Sequence, residues 1–229
     1  LSVIGLVWAF RFDINRRGYL TVLPQPALFV FGYVLFVEMF FFQNFERVYE
    51  ALIFGVLLVI FMIVLGIVFL AANVLNVATF RTLPLLQVAQ TSSYVITLFN
   101  VFFISFFIVQ LGVDIWIILA LVYVLYAVST FLHLSHFEIP NSSLVLYSAS
   151  IAAVAAVACG VSLLWPVEAL FLVLLPTVVV YIGIGIVMHD LRKVLRPLLY
   201  WEYFLIILVV LIVLFSRAEW GIGGYIWTI

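Results

Sequence analysis

The sequence predicts an all-α protein, a polytopic transmembrane helical bundle of about seven spans with a cytoplasmic N-terminus. Hydrophobic residues make up 69% of its 229 residues, against about 45–50% in a soluble domain, and charged residues make up 8%, against about 25%. The apolar residues are gathered into stretches of about 20, the length that crosses ~30 Å of hydrocarbon. Most arginines lie in alternate connections between these stretches, which indicates a defined orientation.

The composition excludes several classes of protein. A soluble fold cannot cover its surface with so few charges, and a disordered chain requires low hydrophobicity and high charge. The formal net charge is −1, so the chain lacks the basic field that binds nucleic acid. The single cysteine, Cys159, cannot form an internal disulfide or a cysteine-based zinc site. The first partner that the sequence implies is therefore the lipid bilayer.

Seven apolar stretches, each bounded by charges, prolines or polar clusters, are predicted to be spanning helices. In chain order they are residues 20–42, 49–72, 93–111, 115–132, 144–164, 167–188 and 198–215. The third helix is expected to begin earlier, at Pro84. These stretches lack the alternating pattern of a membrane β-barrel, so strands are not expected.

The predicted bundle covers residues 20–216, between a basic flank at 1–19 and a short tail at 217–229. Residues 1–10 are apolar but only half a span long, so they are interpreted as an interfacial segment or as the end of a further helix. Of the nine lysines and arginines, seven fall on the side of the amino end, and Arg47 and Arg217 fall on the other. The amino end is therefore predicted to be cytoplasmic and the carboxyl end outside.

A polar stripe is predicted at the end of the second span and along one face of the third. Its members are Asn73, Asn76, Gln87, Gln90, Thr91, Tyr94 and Thr97, with Ser105 further along. At 100° per residue those of the third helix fall within an arc of about 120°. Because unsatisfied polar groups are costly in hydrocarbon, the stripe is expected to turn away from lipid. Two roles are open for it: hydrogen bonding between helices, or the lining of a solute path.

The three histidines are candidate metal ligands. His133 and His136 lie three residues apart at the end of the fourth span, followed by Glu138, and His189 closes the sixth span. The predicted topology places all three on the cytoplasmic side, and imidazoles with a carboxylate are ligands of zinc and iron. The alternative is that they are polar residues at helix ends.

Small side chains recur every four residues in the fifth span, at Ser148, Ala152, Ala156 and Gly160. Such a ridge lets a neighbouring helix approach closely, so the fifth span is expected to be central to the bundle, to a homo-oligomer or to a contact with a membrane partner protein. Pro176, in the middle of the sixth span, predicts a kink, and Gly183 and Gly185 are expected to add slack. The kink is either a hinge for gating or a routine feature of a membrane helix.

Signatures of several enzymes are missing from the sequence. It contains no His-Glu-x-x-His zinc motif, no Gly-x-Ser-x-Gly nucleophile elbow and no glycine-rich phosphate loop with lysine. The only lysine, Lys193, lies in a loop, so no span offers a Schiff-base lysine for retinal. No catalytic residue is assigned, and the sequence implies no resident cofactor.

The junction after the second span resembles that of a known family. Its sequence is Asn73-Val-Leu-Asn76-Val-Ala-Thr-Phe80-Arg81-Thr-Leu-Pro84-Leu-Leu-Gln87. It is similar to a junction in an uncharacterised family of polytopic integral membrane proteins from uncultivated bacteria, in which paired asparagines and a charged turn precede a proline-started helix. The resemblance covers about fifteen residues and implies an architecture and a bacterial inner-membrane setting, but no site residues.

Three hypotheses about function follow. The first is a non-enzymatic membrane component that packs with itself or a partner through the ridge of the fifth span. The second is a transporter or channel for a small neutral or lipid-like solute, with the polar stripe lining the path and Pro176 at a hinge. The third is a membrane-embedded metalloenzyme that uses the three histidines.

Overall fold

The computed structural model of the chain describes residues 22–41, 48–78, 86–137, 139–191, 193 and 197–218. These residues form helices, turns and short connections, and no strand occurs among them. The helices are α1 (Pro24–Phe41), α2 (Val48–Ala78), α3 (Leu86–Gln110), α4 (Ile115–Leu134), α5 (Asn141–Leu163), α6 (Ala169–Leu172), α7 (Leu174–Leu191) and α8 (Pro197–Arg217). The predicted flank at 1–19 and the tail beyond Ala218 lie outside the described residues.

Six described segments are long and apolar enough to cross a membrane: Leu52–Asn76, Leu86–Gln110, Ile115–Leu134, Asn141–Leu163, Ala169–Leu191 and Leu198–Arg217. The apolar helix Pro24–Met39 is shorter. Together they confirm the predicted all-α, polytopic bundle of about seven spans.

The helix ends follow local chemistry. Asp114 begins α4 by accepting the N–H of Trp116 on Oδ1 at 2.8 Å, which satisfies one of the free donors of the first turn. Its carbonyl accepts the N–H groups of Ile117 and Ile118. Just beyond the C-terminal end of α7, Lys193 adopts a left-handed φ of 55°, and its N–H donates to the carbonyl of Asp190 at 2.9 Å. α2 continues to Ala78, six residues past the predicted end of its span, so Asn73 and Asn76 are helical.

The sixth span is interrupted where Pro176 predicts a disturbance. A proline at 176 has no N–H for the carbonyl of Leu172, and the helix is broken at Val173, between α6 and α7. The Val173 carbonyl accepts both the N–H of Thr177, at 3.2 Å, and its hydroxyl, at 2.7 Å. Pro176 itself is buried. The helix is interrupted three residues before Pro176, whereas a bend of its axis and a gating role for this hinge stay predictions.

The chain divides into two compact units. The first contains the chain up to Phe107 together with Leu132–Ile139, and therefore α1, α2, most of α3 and the last turn of α4. The second contains Ile108–Phe131 and the chain from Pro140 onward, and therefore most of α4 and all of α5 to α8.

In the first unit, α1 packs against the end of α2 and the first half of α3. One apolar cluster joins Val22, Leu23, Ala72, Leu75 and Ala89, and a second joins Phe29, Val68, Ala71 and Ile96. Further along, Gly32 of α1 faces Ile104 of α3 so closely that an added Cβ would lie 2.8 Å from its Cγ1. Most of α2 is exposed along Leu52–Leu70, so apolar side chains face the surroundings of the protein, as a lipid-facing helix requires.

In the second unit, α5 packs along α7 at a glycine. A Cβ at Gly183 would lie 2.8 Å from Cγ2 and 2.9 Å from Cγ1 of Ile151. Gly183 was expected to add slack to its helix, but the structure uses it for close approach of two helices. Gly160 of α5 faces Leu119 of α4, whose Cδ2 would lie 3.4 Å from an added Cβ.

The buried line of α5 differs from the predicted ridge. It consists of Ser148, Ala152, Ala155, Cys159 and Ser162 among the small residues. Ser148 and Ala152 are shared with the prediction, but Ala156 and Gly160 are only half-buried. Residues four apart advance about 40° beyond a full turn, so a strict four-residue ridge winds around the helix, whereas a buried face follows alternating steps of four and three. In the second unit this line is used for packing within the chain.

Candidate functional site

The polar stripe is divided by the structure into a buried edge and an exposed edge. Gln90 and Thr97 lie within about 20° of each other around α3 and are buried. Gln87 and Thr91 lie at least about 60° away from them and are exposed. Tyr94, between the two edges, is half-buried. An arc of 120° is wider than the face that one neighbouring helix covers, so only part of the stripe is enclosed.

The two asparagines of α2 are divided in the same way. Asn76 is buried, whereas Asn73, three residues earlier, is exposed. Ser105, near the other end of α3, is fully buried. The members of the stripe therefore do not line one continuous path in the described structure.

A polar core forms around three residues of the first unit: Gln25 at the start of α1, and Ser93 and Thr97 on α3. Gln25 Nε2 donates to the carbonyl of Ser93 at 2.6 Å and to the hydroxyl of Thr97 at 2.7 Å. The Ser93 hydroxyl donates to Gln25 Oε1 at 2.9 Å, and the Thr97 hydroxyl donates to the Ser93 carbonyl at 2.9 Å. All three residues are buried. The side-chain donors of this set are thus matched by acceptors of the same set.

The hydrogen bonds of this core determine its proton positions. A carbonyl can only accept, so the Thr97 hydroxyl and the Gln25 amide nitrogen both donate to the carbonyl of Ser93. The other amide atom of Gln25, which lies next to the Ser93 hydroxyl, is therefore the oxygen Oε1 and accepts the hydroxyl proton. The single proton of the Ser93 hydroxyl is then committed to Gln25. His133 Nδ1 lies 3.1 Å from the same hydroxyl oxygen, so it must be the donor of that contact. This assigns the Nδ1–H tautomer to a neutral His133 and leaves the lone pair on Nε2.

The direction of these hydrogen bonds decides whether Ser93 can act as a nucleophile. A serine nucleophile requires a base that accepts its hydroxyl proton, but here the imidazole donates to Ser93 and the hydroxyl donates to Gln25. The Ser93–His133 contact therefore does not activate Ser93 as a nucleophile. Its chemical effect is to orient the imidazole, as a hydroxyl does when it accepts a ring N–H.

Further contacts surround the core. The rings of Tyr94 and Phe137 lie against His133, with centroid distances of 5.5 and 5.6 Å. Asn100, one turn beyond Thr97, donates from Nδ2 to the carbonyl of Gln25 at 3.1 Å, and its buried Oδ1 has no hydrogen-bond partner in the described structure. The core is therefore tied to α1, to α3 and to the end of α4.

His136 lies in the turn after α4, outside the apolar span. Its carbonyl accepts from Gln90 Nε2 at 3.3 Å, which ties this turn to α3. Burial lowers the pKa of His136 from the ordinary 6.5 to about 4, because the enclosed ring is poorly solvated when charged. His136 is therefore neutral at pH 7.

The third histidine has a different environment. His189 belongs to the second unit, and its Nδ1 lies 2.8 Å from the carbonyl of Gly185 in its own helix, to which it donates. Within the described residues, no three His, Cys, Asp or Glu side chains are grouped so that they could hold a metal ion. The metal site of His133, His136 and His189 thus gains no support from the structure and stays a prediction, and Glu138 lies outside the described residues.

Two members of the polar core, Gln25 and Ser93, and the neighbouring Asn100 were not predicted from the sequence. Ser93 and Asn100 lie within about 60° of Thr97 around α3, just beyond the edge of the predicted arc, so an arc centred on Thr97 would have included them. Gln25 lies between Pro24 and Pro26 in the first turn of α1, and no local signal distinguishes it from a polar residue at a helix start.

The lengths and the apolar surfaces of the described helices define the class of this protein, which is a multi-pass integral membrane protein. Comparisons with models of protein families, with curated proteins and with solved structures find no match.

Proposed function

We propose that this membrane protein is a non-enzymatic helical component of its membrane, in which the polar core and the small-residue line of α5 serve the packing of its own helices. The polar core is the observation that supports this proposal most. Gln25, Ser93 and Thr97 are buried and bonded to one another, and the Ser93 proton is committed to an amide oxygen rather than to a base. Such a closed set holds helices together and offers no nucleophile.

The carrier hypothesis predicts a polar path past Gln87, Gln90 and Thr97. In the described structure Thr97 is enclosed and bonded to Gln25, whereas Gln87 is on the exposed side of the helix. These positions favour interhelical bonding over a solute path. The metalloenzyme hypothesis would need a third ligand, which the described residues do not supply.

A flux assay tests this choice. Purified protein in liposomes is exposed to a glycerol or urea gradient, and the volume change is followed by stopped-flow light scattering. We expect the rate of protein-free liposomes for the wild type and for two matched variants, Gln25→Leu in the core and Gln87→Leu on the surface. A protein-dependent flux that only Gln25→Leu removes would contradict the proposal and support the carrier.

Two neighbouring alanines test the role of α5. Ala152 is fully buried and Ala153 is exposed, so leucine at 152 overfills the helix contact and leucine at 153 faces the surroundings. We expect Ala152→Leu to lower stability and Ala153→Leu to leave it unchanged, with the same oligomeric state in native detergent. An Ala152→Leu variant that stays stable but changes its oligomeric state would instead support the hypothesis of association through the ridge.

We further infer a bacterial inner-membrane setting, from the resemblance at residues 73–87, and a cytoplasmic amino end, from the excess of positive charge. Single cysteines in a Cys159→Ser background test the orientation. An impermeant maleimide added to whole cells is expected to label Leu111→Cys, before α4, and not Ser142→Cys, at the start of α5. The opposite labelling would reverse the proposed orientation.

A further inference from the structure

α2 presents an open face to the surroundings of the protein. Between Leu52 and Ile67 none of its residues is buried, over a stretch of about four helical turns. Apolar side chains in this position need no protein partner, because lipid chains solvate them. Asn73, on the same helix, is also exposed but carries an amide, to which lipid chains offer no hydrogen bond.

Asn73 lies at a depth where hydrocarbon is expected. It belongs to the spanning segment Leu52–Asn76, whose middle residue is Val64. At about 1.5 Å per residue, Asn73 is about 13 Å from Val64 along the helix axis, within half of the ~30 Å thickness of the hydrocarbon core. An amide exposed at this depth is costly unless a group of another helix bonds to it.

Asn73 also continues a regular pattern along this face of α2. The residues that alternate three and four positions apart form the α2 seam, which consists of Leu52, Gly55, Val59, Met62, Gly66, Phe69 and Asn73. Phe69 is half-buried and the other six are exposed. Two parallel helices pack along each other through this alternation of three and four. Gly55 and Gly66 have no atom within 4 Å of an added Cβ, so a second helix has room to approach closely.

We propose that the α2 seam binds the α2 seam of a second copy of this chain, as a parallel pair of helices. Copies of a membrane protein share one orientation, so a two-fold axis along the membrane normal brings identical residues together at equal depth. Asn73 of one copy then faces Asn73 of the other. Because an amide contains both donors and an acceptor, the two side chains bond to each other reciprocally. A single asparagine in such a seam also fixes how the two helices are aligned.

The exposed amide favours a second copy over the other occupants of this face. Lipid alone leaves the amide of Asn73 without a hydrogen bond, and a different protein would have to supply a polar group at the same depth. The contact uses residues that belong neither to the polar core nor to the small-residue line of α5. Its failure would therefore leave the proposed function intact.

Oxidative cross-linking in liposomes tests the contact. Met62→Cys lies in the seam, and Ile60→Cys lies about 160° away around the same helix at nearly the same depth; both positions are exposed. In a Cys159→Ser background of the full chain, a membrane-permeant oxidant such as iodine is expected to form disulfide-linked dimers of Met62→Cys and not of Ile60→Cys. Equal cross-linking of the two variants, or none in either, overturns the proposal.

Gly66 tests whether the helices approach closely. We expect Gly66→Ala, which keeps a small side chain, to preserve the cross-link of Met62→Cys, and Gly66→Leu to abolish it. Undiminished cross-linking with leucine at this position overturns the proposal.

The role of Asn73 is tested through the dissociation constant of the dimer. Chains labelled at Ser142→Cys in the Cys159→Ser background are diluted with lipid, and energy transfer between donor and acceptor dyes is followed. Asn73→Leu is expected to raise the dissociation constant roughly 5- to 30-fold, the range of interhelical hydrogen bonds of polar side chains in model membrane peptides. Asn73→Gln keeps the amide and is expected to stay within about threefold of the wild type, as is Gln87→Leu on the exposed side of α3. Equal dissociation constants of Asn73→Leu and Gln87→Leu, or a wild type that is monomeric at every dilution, overturn the proposal.

Discussion

Substitution of Gly183 by alanine tests the contact of α5 with α7. The added Cβ would lie 2.8 and 2.9 Å from two γ carbons of Ile151, where carbon atoms normally stay about 3.5–4.0 Å apart. Both γ carbons are bonded to the branched Cβ, so neither can rotate away without moving the other toward a neighbour. Ile151 is itself buried, so the helices must separate by several tenths of an ångström.

The size of the effect can be isolated with a control glycine. Overpacking costs about 1–3 kcal/mol, and replacing glycine by alanine within a helix returns up to about 1 kcal/mol. Gly66 of α2 has no atom within 4 Å of an added Cβ, so Gly66→Ala changes only the helix propensity and causes no overpacking. The difference between Gly183→Ala and Gly66→Ala is therefore expected to be about 1–3 kcal/mol, with Gly183→Ala the less stable.

The assay is equilibrium unfolding in mixed micelles, with a double-mutant cycle to locate the strain. Ile151→Ala removes the carbons that an alanine at 183 would meet, so the cost of Gly183→Ala is expected to fall by at least about 1 kcal/mol in that background. Equal stabilities of Gly183→Ala and Gly66→Ala, or additive effects in the cycle, would refute the close approach of the two helices.

Three further predictions concern local contacts, and the same unfolding assay measures each. Gln25→Leu leaves the buried polar groups of Ser93 and Thr97 without their partner and is expected to cost roughly 2–4 kcal/mol, against less than about 0.5 kcal/mol for the exposed Gln87→Leu; equal costs would disprove the polar core. Asp114→Ala removes the acceptor for the Trp116 N–H and is expected to cost about 1 kcal/mol, and an unchanged midpoint would show that the cap contributes nothing. Lys193→Gly relieves a left-handed backbone and is expected to gain up to about 1 kcal/mol; a loss would contradict the φ of 55°.

The spans were predictable because their signal is local. A stretch of about 20 apolar residues without charges is most stable as a helix in lipid, because its backbone N–H and C=O groups find no water in hydrocarbon and must bond to one another. For this reason the predicted span 115–132 and the observed helix Ile115–Leu134 agree at the start and differ by two residues at the end. The interruption near Pro176 was predictable on the same grounds, because proline removes a hydrogen bond of its own helix.

The polar core was only partly predictable, because a stripe on one helix does not reveal which of its edges a neighbour covers. Thr97 and Gln90 were expected to be enclosed, and they are, but Gln87 and Thr91 carry the same kind of side chain and are exposed. The difference depends on where α1 crosses α3. That crossing also brings Gln25, 68 residues away in the chain, to Ser93.

The small residues of α5 show the same division. Their composition alone indicated close helix packing, and Ser148 and Ala152 are buried. The tertiary structure decided that the buried line continues through Ala155 and Cys159 and that Gly183 lies against Ile151 of the same helix.

The amino-acid sequence by itself determined that lipid is the solvent of this protein, where its helices run and which of their residues are costly to expose, because burial in hydrocarbon acts on each segment separately. Only the tertiary structure decided which polar groups satisfy one another and on which atom His133 carries its proton. These hydrogen-bond partners depend on how helices far apart in the chain are rotated and where they cross. The free energy that favours one arrangement comes from contacts between segments, so no single segment of the sequence contains it.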